Sequence, residues 1–170
     1  MKPTFTAIAV TTLDGKIAKN KNHNSFSWNS KEDQKYFLNE IKKYDVGILG
    51  YSTFKLHEKS CSKRNCIVFT RNPKRTSKSN KVIFIKPTKP KLLSILKKNN
   101  WKNVCILGGS KVYTWFLKNN LLNQLMLTIE PIVFGGGIDI FHGKFPNKKF
   151  KLISTKKLNQ KGTLLLKYKN

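Results

Sequence analysis

Only 8 Asp+Glu stand against 34 Lys+Arg in this 170-residue chain, so there are few carboxylates for acid–base work and the setting of each one matters. Asp33 lies in Ser30-Lys31-Glu32-Asp33. A serine followed three residues later by an acid opens a helix in the manner of a capping box. Asp33 and Phe37 are four apart and share one side of that helix. A carboxylate fixed against an aromatic wall can hold or pass a proton. An acid at the third helical position can equally do no more than satisfy backbone donors.

A second chemical feature is the pair Gly108-Gly109, inside the run Val104-Cys-Ile-Leu-Gly-Gly-Ser-Lys-Val-Tyr-Thr-Trp-Phe-Leu117. The run reads as a buried strand, a glycine turn and a helix whose apolar residues Val112, Trp115, Phe116 and Leu117 recur at helical spacing. Glycines let backbone N–H groups approach a bound group closely, and the start of a helix concentrates unpaired donors, so this turn suits a phosphate. A βα connection that needs glycine only for its geometry would look the same. Thr70-Arg71 opens a basic polar loop that runs to Asn80; it suits a phosphate or is a solvated surface loop.

Other chemistries find less support. His23, His57 and His142 are scattered, and Cys61, Cys66 and Cys105 have neither zinc-site nor CxxC spacing, so no metal is expected and the thiols read as reduced. The formal charge of +26 raises a nucleic-acid partner, but the lysines are spread along the chain, with neither a recognition helix nor an aromatic stacking platform. A positive field that draws in anionic cofactors and substrates is the simpler account. Residues 1–10 hold no apolar signal region and no segment reaches transmembrane length, so a soluble cytoplasmic protein with no membrane partner is expected.

Strands are expected at Phe5–Val10, Val46–Leu49, Asn65–Thr70, Val82–Ile85, Val104–Leu107 and Leu125–Val133, with a terminal antiparallel pair at Phe150–Thr155 and Thr163–Tyr168. Helices are expected from Ser30, over Lys91–Lys98 and after Ser110, with a turn or helix at Tyr51–Phe54. This alternation predicts one α/β domain over 1–170, with a mostly parallel sheet and an antiparallel C-terminal edge. Ligands of such sheets bind beyond the carboxyl ends of the strands, here Val10–Thr12, Gly50–Thr53, Thr70-Arg71 and Gly108–Lys111. The polar loop from Lys19 to Ser27 lies in line with that edge, as a lid or as a mere connection.

With those strand ends assembled, nearly the whole chain resembles dihydrofolate reductases and their structural relatives, the reductase domains of riboflavin biosynthesis. Ile106-Leu107-Gly108-Gly109-Ser110-Lys111-Val112-Tyr113 is similar to the stretch that receives the cofactor diphosphate, and Ile48-Leu49-Gly50-Tyr51-Ser52-Thr53 to the second cofactor segment, which usually carries a basic residue where Tyr51 stands. Trp28-Asn29-Ser30-Lys31-Glu32-Asp33 resembles the family's Trp-Asn-x-x-x-Asp/Glu. The resemblance implies a twisted, mostly parallel sheet of about eight strands flanked by helices. It implies NADPH as cofactor, held by Ala18, Gly50, Ser52, Thr53, Thr70, Arg71, Leu107, Gly108, Gly109, Ser110, Lys111, Val112 and Tyr113, with Arg71 and Lys111 on the 2′-phosphate.

The same resemblance makes Asp33 the catalytic carboxylate and places Ile8, Val10, Phe37 and Thr128 around a pterin ring. Arg64 falls where the family holds the arginine that pairs with the substrate's glutamate tail; in a chain this basic it is otherwise a surface cation. The implied reaction is reduction of dihydrofolate to tetrahydrofolate, with hydride passing to C6 and a proton to N5. Burial would raise the proton affinity of Asp33. Leu13-Asp14-Gly15-Lys16-Ile17-Ala18 and Pro131-Ile-Val-Phe-Gly-Gly-Gly-Ile-Asp-Ile-Phe141 look more like the riboflavin-pathway reductases, which makes an NADPH-dependent pyrimidine reductase the rival reading. Asp14 is that reading's alternative polar group, or simply an Asp-Gly turn. A monomer or a homodimer is expected, with apolar residues between Phe134 and Phe145 as the contact in the second case.

Overall fold

Eight strands make one sheet in the computed structural model, which describes residues 2–170. The elements are β1 (Thr4–Thr11), β2 (Lys16–Ala18), α1 (Lys31–Glu40), β3 (Val46–Gly50), α2 (Tyr51–Cys61), β4 (Cys66–Phe69), β5 (Val82–Ile85), α3 (Lys89–Lys98), β6 (Asn103–Gly108), α4 (Ser110–Lys118), β7 (Gln124–Ile129), β8 (Ile138–Asp139), β9 (Lys151–Lys157) and β10 (Leu164–Lys169). The sheet order is β5-β4-β3-β6-β1-β7-β10-β9. The first six run parallel, while β10 is antiparallel to both neighbours. The mostly parallel sheet with an antiparallel C-terminal edge is as the alternation of elements requires.

Alternation along each strand sends successive side chains to opposite faces. Ile48, Ile67 and Ile106 join Leu92 and Leu96 of α3 and Phe116 of α4 in the main core. Their neighbours Leu49 and Val68 pack against Phe54 of α2, and Ile8, Cys105 and Met126 meet Tyr36, Phe37 and Ile41 on the α1 side. Helices therefore cover both faces, and burial of apolar side chains on each holds the layers together. The topology also fixes where a cleft must open. From β3 the chain passes through α2 to β4 on one side; from adjacent β6 it passes through α4 to β7 on the other. Where neighbouring strands lead away in opposite directions, their carboxyl ends leave a crevice between them.

Four local features differ from the sequence expectation. Tyr51–Cys61 is a full helix, although His57 departs from helical geometry at φ −129° and ψ 20°. The strand expected to reach Val133 stops at Ile129, because Pro131 has no N–H to continue a ladder and Ile132 N–H turns back to the Glu130 carbonyl at 2.8 Å. The pair β2 and β8 forms a small second sheet from runs too short to register as periodic. The 19–27 loop contains a 3-10 turn at Ser25–Ser27, capped by Asn24. Among the described residues, no helix is long and apolar enough to cross a membrane, and no group of three or more His, Cys, Asp or Glu could hold a metal ion.

Candidate active site

The crevice between β3 and β6 is made of backbone. Gly50 and Gly108 end these strands; α2 begins directly after Gly50 and α4 after the single residue Gly109, with no side chain capping either helix. The first N–H groups of each helix therefore have no partner within it. Gly108 has φ +89°, and a Cβ there would lie 2.7 Å from the Tyr113 ring; Tyr113 is itself fixed by donating its hydroxyl to the Ile8 carbonyl at 2.7 Å. Gly109 is different: a Cβ there would meet only Thr53 Oγ1 at 3.5 Å and Ile17 Cδ1 at 3.9 Å. Gly109 thus faces Thr53 and Ile17 across a narrow space that a side chain would fill.

The Ser110 hydroxyl is buried and has no partner among the described residues. Unpaired donors from two helix starts, a glycine wall and an orphaned hydroxyl are the donor set a diphosphate needs. The residues present therefore fit a dinucleotide. Ser52 and Thr53 begin α2, Leu107 leads into Gly108, and Val112, whose Cγ2 stands 3.3 Å from where a Gly50 Cβ would be, closes the crevice floor. Thr70 is buried at the end of β4 and its hydroxyl accepts from Asn72 N–H at 3.2 Å. Arg71 and Lys111 are both exposed on that edge. Ala18 is buried on β2, where its carbonyl is pressed against Gly137.

At the other end of the crevice stands Asp33, in the first turn of α1 and only 4% exposed. Its carboxylate accepts a hydrogen bond from Asn29 Nδ2 at 2.6 Å. Burial pushes its proton affinity up, hydrogen bonds from Thr128 and Asn29 pull it partly back, and the nearby Glu130 charge adds to the rise. Ile8 and Thr128 are buried and Val10 half-buried on the neighbouring strands β1 and β7, paired in register as Ile8 with Met126 and Val10 with Thr128. Phe37 is half-buried one turn beyond Asp33. The fold thus brings Ile8, Val10, Asp33, Phe37 and Thr128 together.

Arg64 is placed elsewhere. Its Nη2 donates to the Ile41 carbonyl at 2.8 Å and, more weakly, to that of Tyr44 at 3.5 Å, while its Nε is buried without a partner. These carbonyls lie just past the C-terminal end of α1, roughly 12 Å along the helix axis from Asp33. Asp14 closes a loop: it accepts from the Thr12 hydroxyl and from the N–H groups of Phe134 and Gly135, which hold its carboxyl below the usual range.

Three residues at this site carry no sequence signal. Phe26, from the 19–27 loop, meets Phe37 of α1 edge-on at 5.7 Å between centroids and His57 of α2 at 5.9 Å, so the loop bridges the two helices flanking the cleft. Burial lowers the proton affinity of His57. Glu130, 4% exposed, accepts from Ser30 N–H at 2.8 Å, Ser30 Oγ at 2.7 Å and Thr163 Oγ1 at 2.7 Å. The Trp28 indole Nε1 is a further buried donor with no partner among the described residues.

Residues 59–164 match the family described as the RibD C-terminal domain. A Bacillus subtilis relative, the uncharacterised protein YwjB, is 30% identical over 168 residues, covering 94% of each chain. Among solved structures, a putative riboflavin biosynthesis protein from Shewanella sp. PV-4 superposes with a TM-score of 0.83 at 19% identity, over 98% of each chain. Dihydrofolate reductase from Enterococcus faecalis, in complex with NADP(H), superposes with a TM-score of 0.71 at 21% identity, over 98% of this chain and 95% of that one. The likeness to dihydrofolate reductase is thus one of fold, while the family that matches is that of the riboflavin-pathway reductase domain.

Proposed function

Because the chain belongs to the RibD C-terminal domain family, we propose that it is an NADPH-dependent reductase of a pyrimidine that carries a phosphorylated ribosyl group. The observation that carries this reading over dihydrofolate reduction is the match of residues 59–164 to the RibD C-terminal domain family. A folate would call on a guanidinium for its glutamate tail, and the Nη2 of Arg64 already donates to the Ile41 and Tyr44 carbonyls. Supporting this, a structural neighbour from Thermotoga maritima is described as a deaminase and 5-amino-6-(5-phosphoribosylamino)uracil reductase.

When bound, the nicotinamide dinucleotide supplies hydride. Gly109, Thr53 and Ser110 would hold its diphosphate, and the exposed Arg71 and Lys111 would meet its 2′-phosphate. Asp33 receives the amino and ring N–H edge of the heterocycle, fixing it against Phe37, Ile8 and Val10. In its protonated form it can also release a proton to the substrate. Phe26 packs on Phe37, and burial of the Asp33 carboxyl is the main cause of its raised proton affinity.

Dihydrofolate remains a second reading, favoured by the pairing of Asp33 with Thr128. Purified protein with NADPH is given either the phosphoribosylaminopyrimidine or dihydrofolate, and loss of nicotinamide absorbance is followed. Oxidation with the pyrimidine alone is the expected result. Oxidation with dihydrofolate, together with a raised Michaelis constant for it in Arg64→Leu, would return the assignment to the folate enzyme.

A further inference from the structure

Two carboxylates meet at the start of α1, and they divide one task unevenly. In a closed capping box the cap serine accepts from the third N–H, and the acid at that third position reaches back to the cap N–H. Half of the box is present, since Ser30 Oγ accepts from Asp33 N–H at 3.2 Å. The other half is made by a different residue. Ser30 N–H and Ser30 Oγ both donate to Glu130 Oε1, at 2.8 and 2.7 Å, and Thr163 Oγ1 donates to Glu130 Oε2 at 2.7 Å. Glu130 is 4% exposed and has no cationic partner among the described residues.

We propose that Glu130 is a positioning residue: it takes the cap N–H that Asp33 would otherwise occupy, leaves the Asp33 carboxylate free for the cleft, and stands beside it as a second acid. This rests on the reading of Asp33 as the acid–base group of the reductase. The geometry explains why an acid with helix-capping spacing does not cap. It also explains a buried charge otherwise hard to justify, because a carboxylate is costly to bury without strong donors. The polar and titratable groups facing Asp33 are Asn29 from the preceding loop, Tyr36 from the next turn of α1, Thr128 from β7 and Glu130 beyond it; none is a cation. The Glu130 charge is one of the causes that raise the proton affinity of Asp33, after its burial.

The test is carboxyl-carbon NMR of protein labelled at Asp and Glu, with Asp33 assigned through Asp33→Asn. In Glu130→Gln the side chain keeps an oxygen for the Ser30 donors, loses the charge, and turns an amide donor toward Thr163 Oγ1 in place of an acceptor. The Asp33 midpoint should then fall. In Glu130→Asp, which keeps a charge, it should stay above that of the Gln variant. An unchanged midpoint in folded Glu130→Gln protein overturns the proposal.

If the variant does not fold, wild-type protein decides. The Ser30 amide, which donates to Glu130 and not to Asp33, should keep the shift of a hydrogen-bonded amide while the Asp33 carboxyl signal titrates. A Ser30 amide that tracks Asp33 overturns the proposal. None of these measurements needs substrate or dinucleotide. A failed reductase reading would appear as absent turnover with the linkage intact, and a failed linkage would leave turnover as it was.

Discussion

The two ends of the crevice are built on opposite plans. The glycine end consists of backbone: consecutive residues at the close of β3 and β6, two uncapped helix starts and almost no side chains. The carboxylate end consists of side chains drawn from separate parts of the sequence, with Asp33 from α1, Thr128 from β7, Glu130 beyond it and Thr163 before β10. A backbone-built site tolerates changes of side-chain chemistry and is ruined by added volume. A convergent side-chain site tolerates small changes of volume and is ruined by a changed charge or hydrogen bond. Each of the following experiments sets one end against the other.

The largest effect is expected at the glycines, and it should divide into two kinds. Gly108→Ala places a methyl against a Tyr113 ring that is pinned to Ile8, at a φ of +89° that L residues rarely adopt. Overpacking and backbone strain together should destabilise the protein by about 2–5 kcal/mol in urea unfolding. Gly109→Ala has an ordinary φ of −74° and only Thr53 and Ile17 nearby. It should fold with near-normal stability and lose dinucleotide affinity by roughly 100-fold in calorimetry, since the methyl occupies the space the diphosphate needs. Equal stability losses in both variants would remove the distinction between a strained turn and a binding surface.

Next in size is Asp33→Asn, which should leave dinucleotide affinity untouched and cut turnover by about 100- to 10,000-fold. The stability effect runs the other way. The folded proton affinity of Asp33 is raised above the usual 3.8, so its contribution to stability is fully present below that value and is lost as pH rises through the folded midpoint. At neutral pH an ionised, desolvated carboxylate is a burden that Asn does not carry. Thermal melting of the variant should therefore match or exceed wild type at pH 7, with the advantage fading below about pH 4. A variant that melts lower at pH 7 would mean that the charge holds α1 together after all.

How much of this is readable before folding follows from the same contrast. The parallel strands announce themselves as apolar runs, and the cradle lies in one continuous stretch, Leu107 to Lys111, so its shape is a local property of the sequence. Asp33 is visible through its helical spacing to Ser30 and Phe37. Glu130 is not, because its partner Ser30 lies 100 positions away and an acid before a proline has no distinctive pattern. The inward turn of Arg64 is equally silent: only the packed end of α1 presents the carbonyls that claim it. Phe26 looks like a stray aromatic in a polar loop until Phe37 and His57 are brought beside it.

A smaller effect, confined to the backbone-built end, is expected from Ser110→Ala. The hydroxyl is buried and unpartnered, so its removal relieves an unsatisfied group and should leave stability equal or slightly higher. Dinucleotide affinity should fall by about tenfold, the ratio that one hydrogen bond to a charged acceptor commonly supplies. Unchanged affinity would mean the hydroxyl is merely trapped by packing.

The smallest effect should come from the exposed cations Arg71 and Lys111, replaced together by neutral residues. Both sit where solvent and salt screen them, and the chain's formal charge of +26 surrounds them with a general positive field. That field attracts NADPH and NADH alike, so deleting two charges from it alters both affinities a little. A 2′-phosphate recognised at close range would distinguish them. The double variant should raise the Michaelis constant for NADPH by about tenfold while that for NADH stays nearly level, and the gap should narrow as salt is added. Equal losses for the two cofactors would assign Arg71 and Lys111 to the general field, and recognition of the extra phosphate would then have to lie with the backbone and hydroxyl donors of the glycine end.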